Sequence, residues 1–133
     1  MLNEFDAGAT LPVTDMTAAR DFYEGTLGFQ PVPGLDLPGA TLYGTGSGMF
    51  MVYESEFAGT NKATAMAFNL DDTRLDEVVA DLKGKGVTFD TFDASEMEGM
   101  EWDGDVLVGG GMRAVWFHDA WGNILNLSAT PSD

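Results

Sequence analysis

Leu11-Pro-Val-Thr-Asp-Met-Thr-Ala-Ala-Arg-Asp-Phe-Tyr-Glu-Gly-Thr-Leu-Gly-Phe29 reads as a strand, a cap, a helix and a stop. Residues 7–13 alternate, with Ala9, Leu11 and Val13 on one face and Gly8, Thr10 and Pro12 on the other, as a half-buried strand does. Asp15 occupies the helix N-cap, Ala19, Phe22, Tyr23 and Leu27 follow at helical spacing, and Gly28 supplies a left-handed stop. Downstream, Pro31, Pro33, Gly34, Pro38 and Gly39 make residues 30–40 mostly loop. Thr41–Thr45 and Met49–Tyr53 then form a hairpin about Gly46-Ser47-Gly48.

The same order begins again. Residues 63–70 alternate, with Met66, Phe68 and Leu70 on one face and Ala65, Ala67 and Asn69 on the other. Asp71-Asp72 caps a second helix with the apolar stripe Leu75, Val78, Val79 and Leu82, ended by Gly86. Val87–Phe92 is a strand, followed by a long acidic loop and a last hairpin, Met112–His118 with Ile124–Ser128. Overlaying Leu11-Pro-Val-Thr-Asp15 on Phe68-Asn-Leu-Asp-Asp72 brings Phe22 onto Val79 and Gly28 to within one residue of Gly86. The chain is therefore a duplicated β-α-β-β-β unit, α+β in class, with module 1 at about 5–56 and module 2 at about 62–130 of a single 1–133 domain. Neither half is large enough to bury its sheet alone.

Composition bounds the function. Of 133 residues, 22 are Asp or Glu and only 6 are Lys or Arg, a formal net charge of -16. The bases are scattered, so no patch exists to overcome repulsion from phosphate backbones or anionic lipid heads, and neither nucleic acid nor membrane is an expected partner. With 44% hydrophobic residues the chain has the material for a core. Zero cysteines exclude disulfides and thiolate sites, and no basic leader or long apolar span precedes the first strand, so a cytoplasmic location is expected. One histidine, His118, restricts acid/base and transition-metal chemistry.

On these residues the chain resembles the vicinal oxygen chelate superfamily, also called the glyoxalase, bleomycin-resistance and extradiol-dioxygenase superfamily. The 11–29 segment is similar to its opening strand, helix and Leu-Gly-Phe turn. Val115-Trp-Phe-His-Asp-Ala-Trp-Gly-Asn-Ile-Leu-Asn-Leu127 is similar to its closing hairpin, with Ala120 where a proline is usual. The resemblance implies paired modules whose sheets enclose a cleft (the glyoxalase/bleomycin-resistance/dihydroxybiphenyl dioxygenase-like fold), helices outside, and a homodimer. In the family's enzymes a divalent metal sits on His, Gln or Glu side chains from four strand positions, which fall here on Gly8, Val52, Ala65 and Asn126. Gly, Val and Ala have no donor atom, and one neutral amide does not hold zinc, nickel or iron. No metal and no other cofactor is expected, which argues against glyoxalase I, extradiol dioxygenase and metal-dependent epimerase activities.

The cleft candidates are Gly8, Thr10, Ala65, Ala67 and Asn126, small or polar, together with Phe50 and Val52, which share strand parity, and the tryptophans Trp102 and Trp116. Trp102 lies in the stretch Asp90–Asp105, which holds seven acids and is read either as a lid that attracts a cation and stacks on it or as a solvated loop with Trp102 in the core. Trp116 is assigned first to the core and Trp121 to the surface or a subunit contact. No catalytic residue is singled out; Tyr43 and Glu54 are proton-transfer candidates only if the cleft desolvates them. The leading expectation is a metal-independent binder of a small organic ligand, a cation among the options, by analogy with bleomycin-resistance proteins. The alternatives are a lyase or isomerase acting through acid/base side chains, and acidity that reflects life in high salt.

Overall fold

A computed structural model describes residues 1–4, 6–34 and 37–130. The strands are β1 (Thr10–Val13), β2 (Ala40–Gly44), β3 (Met49–Glu54), β4 (Thr64–Asp71), β5 (Glu101–Asp103), β6 (Val106–Gly109), β7 (Met112–His118) and β8 (Ile124–Thr130). Helix α1 (Met16–Arg20) continues as a π-helical segment, Asp21–Thr26, and α2 spans Asp72–Gly84. The described residues form two compact units, those up to 65 with 120–123, and those of 66–119 with 124–130.

In the first unit the sheet runs β1-β3-β2, with β1 parallel to β3 and β2 antiparallel to it. Asp15 caps α1 as its position implies: its carboxylate accepts from the amides of Thr17 (2.9 Å) and Ala18 (3.2 Å). Gly28, at φ +82, ends the helical run in a conformation that a Cβ would disfavour. Helix α1 packs over β3, and Leu11, Val13, Tyr43, Phe50 and Val52 of the sheet face pack with Tyr23 of the π-helical segment, each at most 2% exposed. The Tyr23 ring lies 5.8 Å from Phe50 and 6.0 Å from Tyr43, so large rings fill most of this core. Residues 120–123, the turn between β7 and β8, belong to this unit. There Asn123, 2% exposed, donates to the Pro12 carbonyl (2.8 Å), and the Trp121 indole donates to Thr14 Oγ1 (2.6 Å). Trp121 is thus half-buried and anchored, where the sequence placed it at the surface or a subunit contact.

The second unit repeats the plan with the order β4-β8-β7, extended by β6 and β5. Helix α2 packs over β8, burying Leu75, Val79 and Leu82, and ends at Gly86 (φ +89) with Val87 N–H donating to Leu82 O and Gly86 N–H to Lys83 O. In each repeat the second strand shrinks to one bridge, Pro31 with Tyr43 and Asp90 with Trp116. The expected strand Val87–Phe92 is therefore not a full strand, and Leu35 and Asp36 of the proline-rich loop, like Phe5 at the start of module 1, lie outside the described residues. The acidic connection is not all loop: β5 and β6 form a hairpin about Gly104-Asp105, with Gly104 at φ +62. The duplicated βαβββ order is present, with this hairpin inserted in the second copy.

Removing the Asn123 amide leaves the Pro12 carbonyl buried without its donor. Asn123→Ala is expected to lower unfolding free energy by about 1–3 kcal/mol, measured by urea denaturation, whereas the exposed neighbour Ala120→Ser stays within about 0.5 kcal/mol.

Candidate functional site: the open sheet faces

Register sorts the side chains of the first unit. Leu11 opposes Val52, Val52 opposes Thr41, and Phe50 opposes Tyr43, so these share the helix-covered face. Thr10, Met51 and Leu42 oppose one another on the other, open face. Val52, fully buried, belongs to the core rather than to a cleft; the Phe50 ring packs against Tyr23, Phe29 and Tyr43, while Phe50 also borders the cavity on this unit beside Met51. That cavity, of about 520 Å³, is bordered also by Gly8, Thr10, Leu42 and Met49, with Asp6 its single charged residue. Gly8 has a packing reason to lack a side chain, because a Cβ there would meet the Met49 carbonyl oxygen at 2.7 Å.

In the second unit the Arg113 guanidinium pairs with Asp72 (3.4 Å) and with Asp76, both on α2, which assigns Arg113 and its same-face neighbours Val115 and Phe117 to the helix side. The opposite face carries Trp116 across from Asn126, Ala114 across from Ser128 and from Leu107, and Trp102 across from Leu107. The rings of Trp102 and Trp116 are 6.2 Å apart, and Phe92 lies edge-on to both at 5.2 and 5.1 Å. The Trp102 indole N–H donates to the Phe92 carbonyl (2.8 Å), which locks the trio. Both tryptophans are half-buried and Phe92 is 44% exposed, so neither indole is the sealed core residue that one reading made it. Asn126 is buried; its amide donates to Val115 O (3.2 Å) and its Oδ1 accepts from Ser128 Oγ (2.7 Å). On β4, Ala65 is half-buried and Ala67 exposed.

A family model, the Glyoxalase/Bleomycin resistance protein/Dioxygenase superfamily, matches residues 7–126. The chain belongs to that superfamily. Similar solved structures include the fosfomycin resistance protein FosX from Listeria monocytogenes complexed with Mn(II) and sulfate (TM-score 0.69, 16% identity, 95% of this chain and 90% of that chain). They also include FosX from Mesorhizobium loti (TM-score 0.66, 15% identity, 95% and 92%) and a glyoxalase/dioxygenase from Nostoc punctiforme (TM-score 0.66, 19% identity, 92% and 88%). At these identities they share the fold. No curated protein matches the chain.

The superfamily's metal does not fit the residues present. A side chain at Gly8 is blocked by backbone, Val52 is core, Ala65 offers no donor, and the Asn126 oxygen already accepts from Ser128. Among the described residues no three His, Asp or Glu side chains converge as a ligand set. Among the same residues no helix is long and apolar enough to cross a membrane.

The proton-transfer candidates separate. Tyr43 is fully buried on the helix side and donates its hydroxyl to Glu24 Oε2 at 2.9 Å. Burial, then the hydrogen bond and charge of Glu24, push its pKa well above the usual phenol range, with the charge of Arg20 and the hydroxyl of Thr41 pulling the other way. It is a structural donor that stays protonated, not the cleft acid or base that the sequence allowed. Glu54 is exposed at the end of β3. His118, the single histidine, has its Nδ1 2.7 Å from Asp90 Oδ2 on the same face as Trp116. The signal was the parity of Trp116 and His118 within β7. Asp90 was out of reach, because its bridge to Trp116 joins residues far apart in the chain.

Gly8→Ala drives a methyl into the Met49 backbone and is expected to destabilise the protein by about 1–3 kcal/mol. Because the folded state holds the Tyr43 proton more tightly than the unfolded chain, that contribution is complete below about pH 10 and is lost as pH rises towards the folded-state pKa. Stability of the wild type therefore falls more steeply above about pH 10 than that of Tyr43→Phe, as denaturation series at stepped alkaline pH will show.

Proposed function

We propose that the protein binds a small organic molecule, without a metal, in the cleft of a homodimer, and that flat cations are its preferred ligands. The observation that carries this reading is the Phe92, Trp102 and Trp116 trio on the open face of the second sheet. Half-buried aromatic rings present negative π-faces, and a desolvated cation over a tryptophan gains about 1–2 kcal/mol. A net charge of -16 raises the local concentration of any cation. The exposed Phe57 (68%) and Met49 (46%) support burial of further surface in a dimer. The absence of cysteine supports a cytoplasmic location.

A second reading, a lyase or isomerase, is supported by one contact. Asp90 holds His118 through Nδ1, which leaves Nε2 as the nitrogen for proton transfer beside the Trp116 platform. The two readings differ in the fate of the ligand. A binder releases it chemically unchanged; an enzyme converts it, and His118→Gln abolishes conversion while binding persists.

Titration of tryptophan fluorescence with a flat aromatic cation such as 9-aminoacridine, and with an anionic aromatic sulfonate of similar size, tests the proposal. The cation is expected to quench saturably, the sulfonate not, and Trp102→Ala to weaken the cation by about 10-fold or more. Equal response to both probes, or none to either, contradicts it.

A further inference from the structure

We propose that Asp103-Gly104 is a self-modification site, where the main chain converts spontaneously to an isoaspartyl linkage, and that the conversion takes apart the ring trio of the second sheet. The inference rests on the β5–β6 hairpin and its packing, and it holds whether or not those rings bind a cation.

Asp103 is the single aspartate of the chain followed by glycine, and no asparagine precedes one. Glycine has no Cβ to shield its amide nitrogen, so that nitrogen reaches the carboxyl carbon of the preceding side chain most readily. The hairpin leaves both reacting groups uncommitted. Asp103 pairs with Val106, so the ladder closes across the two-residue turn Gly104-Asp105 and makes no use of the Gly104 amide. Gly104 is exposed at φ +62, with open space where a Cβ would stand. The Asp103 carboxylate is exposed and makes no hydrogen bond or ion pair among the described residues. By contrast, Asp15 and Asp93 commit their carboxylates to backbone amides, and Asp81 and Asp105 to lysines. Ring closure also requires rotation about the Asp103 Cα–C bond. Strand β5 has three residues and is the outermost of its sheet, so local opening there costs little.

The chemistry balances with water alone. The Gly104 nitrogen bonds to Asp103 Cγ and gives up its proton, a carboxyl oxygen leaves as water, and a cyclic succinimide forms. Water then adds to either ring carbonyl. Breaking the bond from Gly104 nitrogen to Cγ restores aspartate; breaking its bond to the main-chain carbonyl carbon leaves the chain running through Cβ and Cγ. Mass is unchanged, and one carboxylate remains. An open depression of about 360 Å³, bordered by Glu101, Trp102, Asp103 and Val108, admits that water.

The product does not keep the hairpin. The new linkage adds one atom to the main chain between Asp103 and Gly104, and a two-residue turn has no slack for it. The Asp103 and Val106 pair therefore breaks. Trp102 is the next residue in the ladder, and its indole bond to Phe92 (2.8 Å) and edge contact with Trp116 (6.2 Å) depend on β5 keeping its register.

The test ages full-length protein for several weeks at near-neutral pH and body temperature, and locates isoaspartate by enzymatic methyl transfer from S-adenosylmethionine with peptide mapping. Position 103 is expected to hold at least about 10-fold more than any other aspartate. Asp103→Glu, which forms a cyclic imide far more slowly, is expected to fold as the wild type and to lose that signal. Tryptophan emission is expected to shift to the red in aged wild type in step with isoaspartate, and to stay unchanged in aged Asp103→Glu. The inference is overturned if position 103 gains no more isoaspartate than other aspartates, if Asp103→Glu accepts as much methyl, or if isoaspartate accumulates without a change in tryptophan emission. Binding of 9-aminoacridine enters none of these outcomes, so failure of the cation reading and failure of this one are told apart.

Discussion

A side chain on a strand can face the helix or face away from it, and the register of β1 against β3 settles the choice for the whole first sheet. Leu11 beside Val52 fixes the covered face; Thr10 beside Met51 fixes the open one. A shift of one residue would exchange the two sets and expose Tyr43, Phe50 and Val52 to water, a loss of about 1.5–3 kcal/mol for each large apolar group. That cost pins the register. With it pinned, Met51 and Leu42 are committed to the open face, and Glu24 is brought to the Tyr43 hydroxyl.

The second unit obeys the same constraint through a different device. Its helix-side face is marked by Arg113, whose pairing with Asp72 and Asp76 ties β7 to α2. Alternation then sends Trp116 and His118 to the other side, opposite Asn126 and Ile124. The inserted β5–β6 hairpin adds Trp102 to that face, and its indole bond to Phe92 completes three rings in mutual edge contact. Chemistry in this chain is thus a by-product of parity: the bulky residues are consumed by the cores, and what remains outward is aromatic, thioether and amide, with few groups that bind a transition metal.

Much of this was legible in the residues. Asp15, Gly28 and Gly86 mark helix ends by mechanisms that act locally, and they hold as read. The paired strand-helix openings and the closing hairpin were enough to recognise the duplicated fold. Parity in β3 was not legible. Met49-Phe-Met-Val-Tyr53 is apolar on both faces, so alternation carries no contrast there, and only pairing with Leu11 and Tyr43 shows that Phe50 and Val52 point inward. The β5–β6 hairpin was missed for another reason: its Asp103-Gly104 turn signal sits within a run of acids that reads as loop. The Tyr43–Glu24 hydrogen bond joins a strand to a helix, and no spacing rule brings those residues together.

We infer that Gly8, Val52, Ala65 and Asn126, onto which the superfamily's metal-ligand positions fall by resemblance, hold no transition metal in this chain. Elemental analysis of protein produced in metal-supplemented medium and purified without chelator tests it most directly. The expected result is zinc, nickel, iron and manganese all far below one atom per chain. One atom of any of them per chain, retained through gel filtration, would contradict the claim.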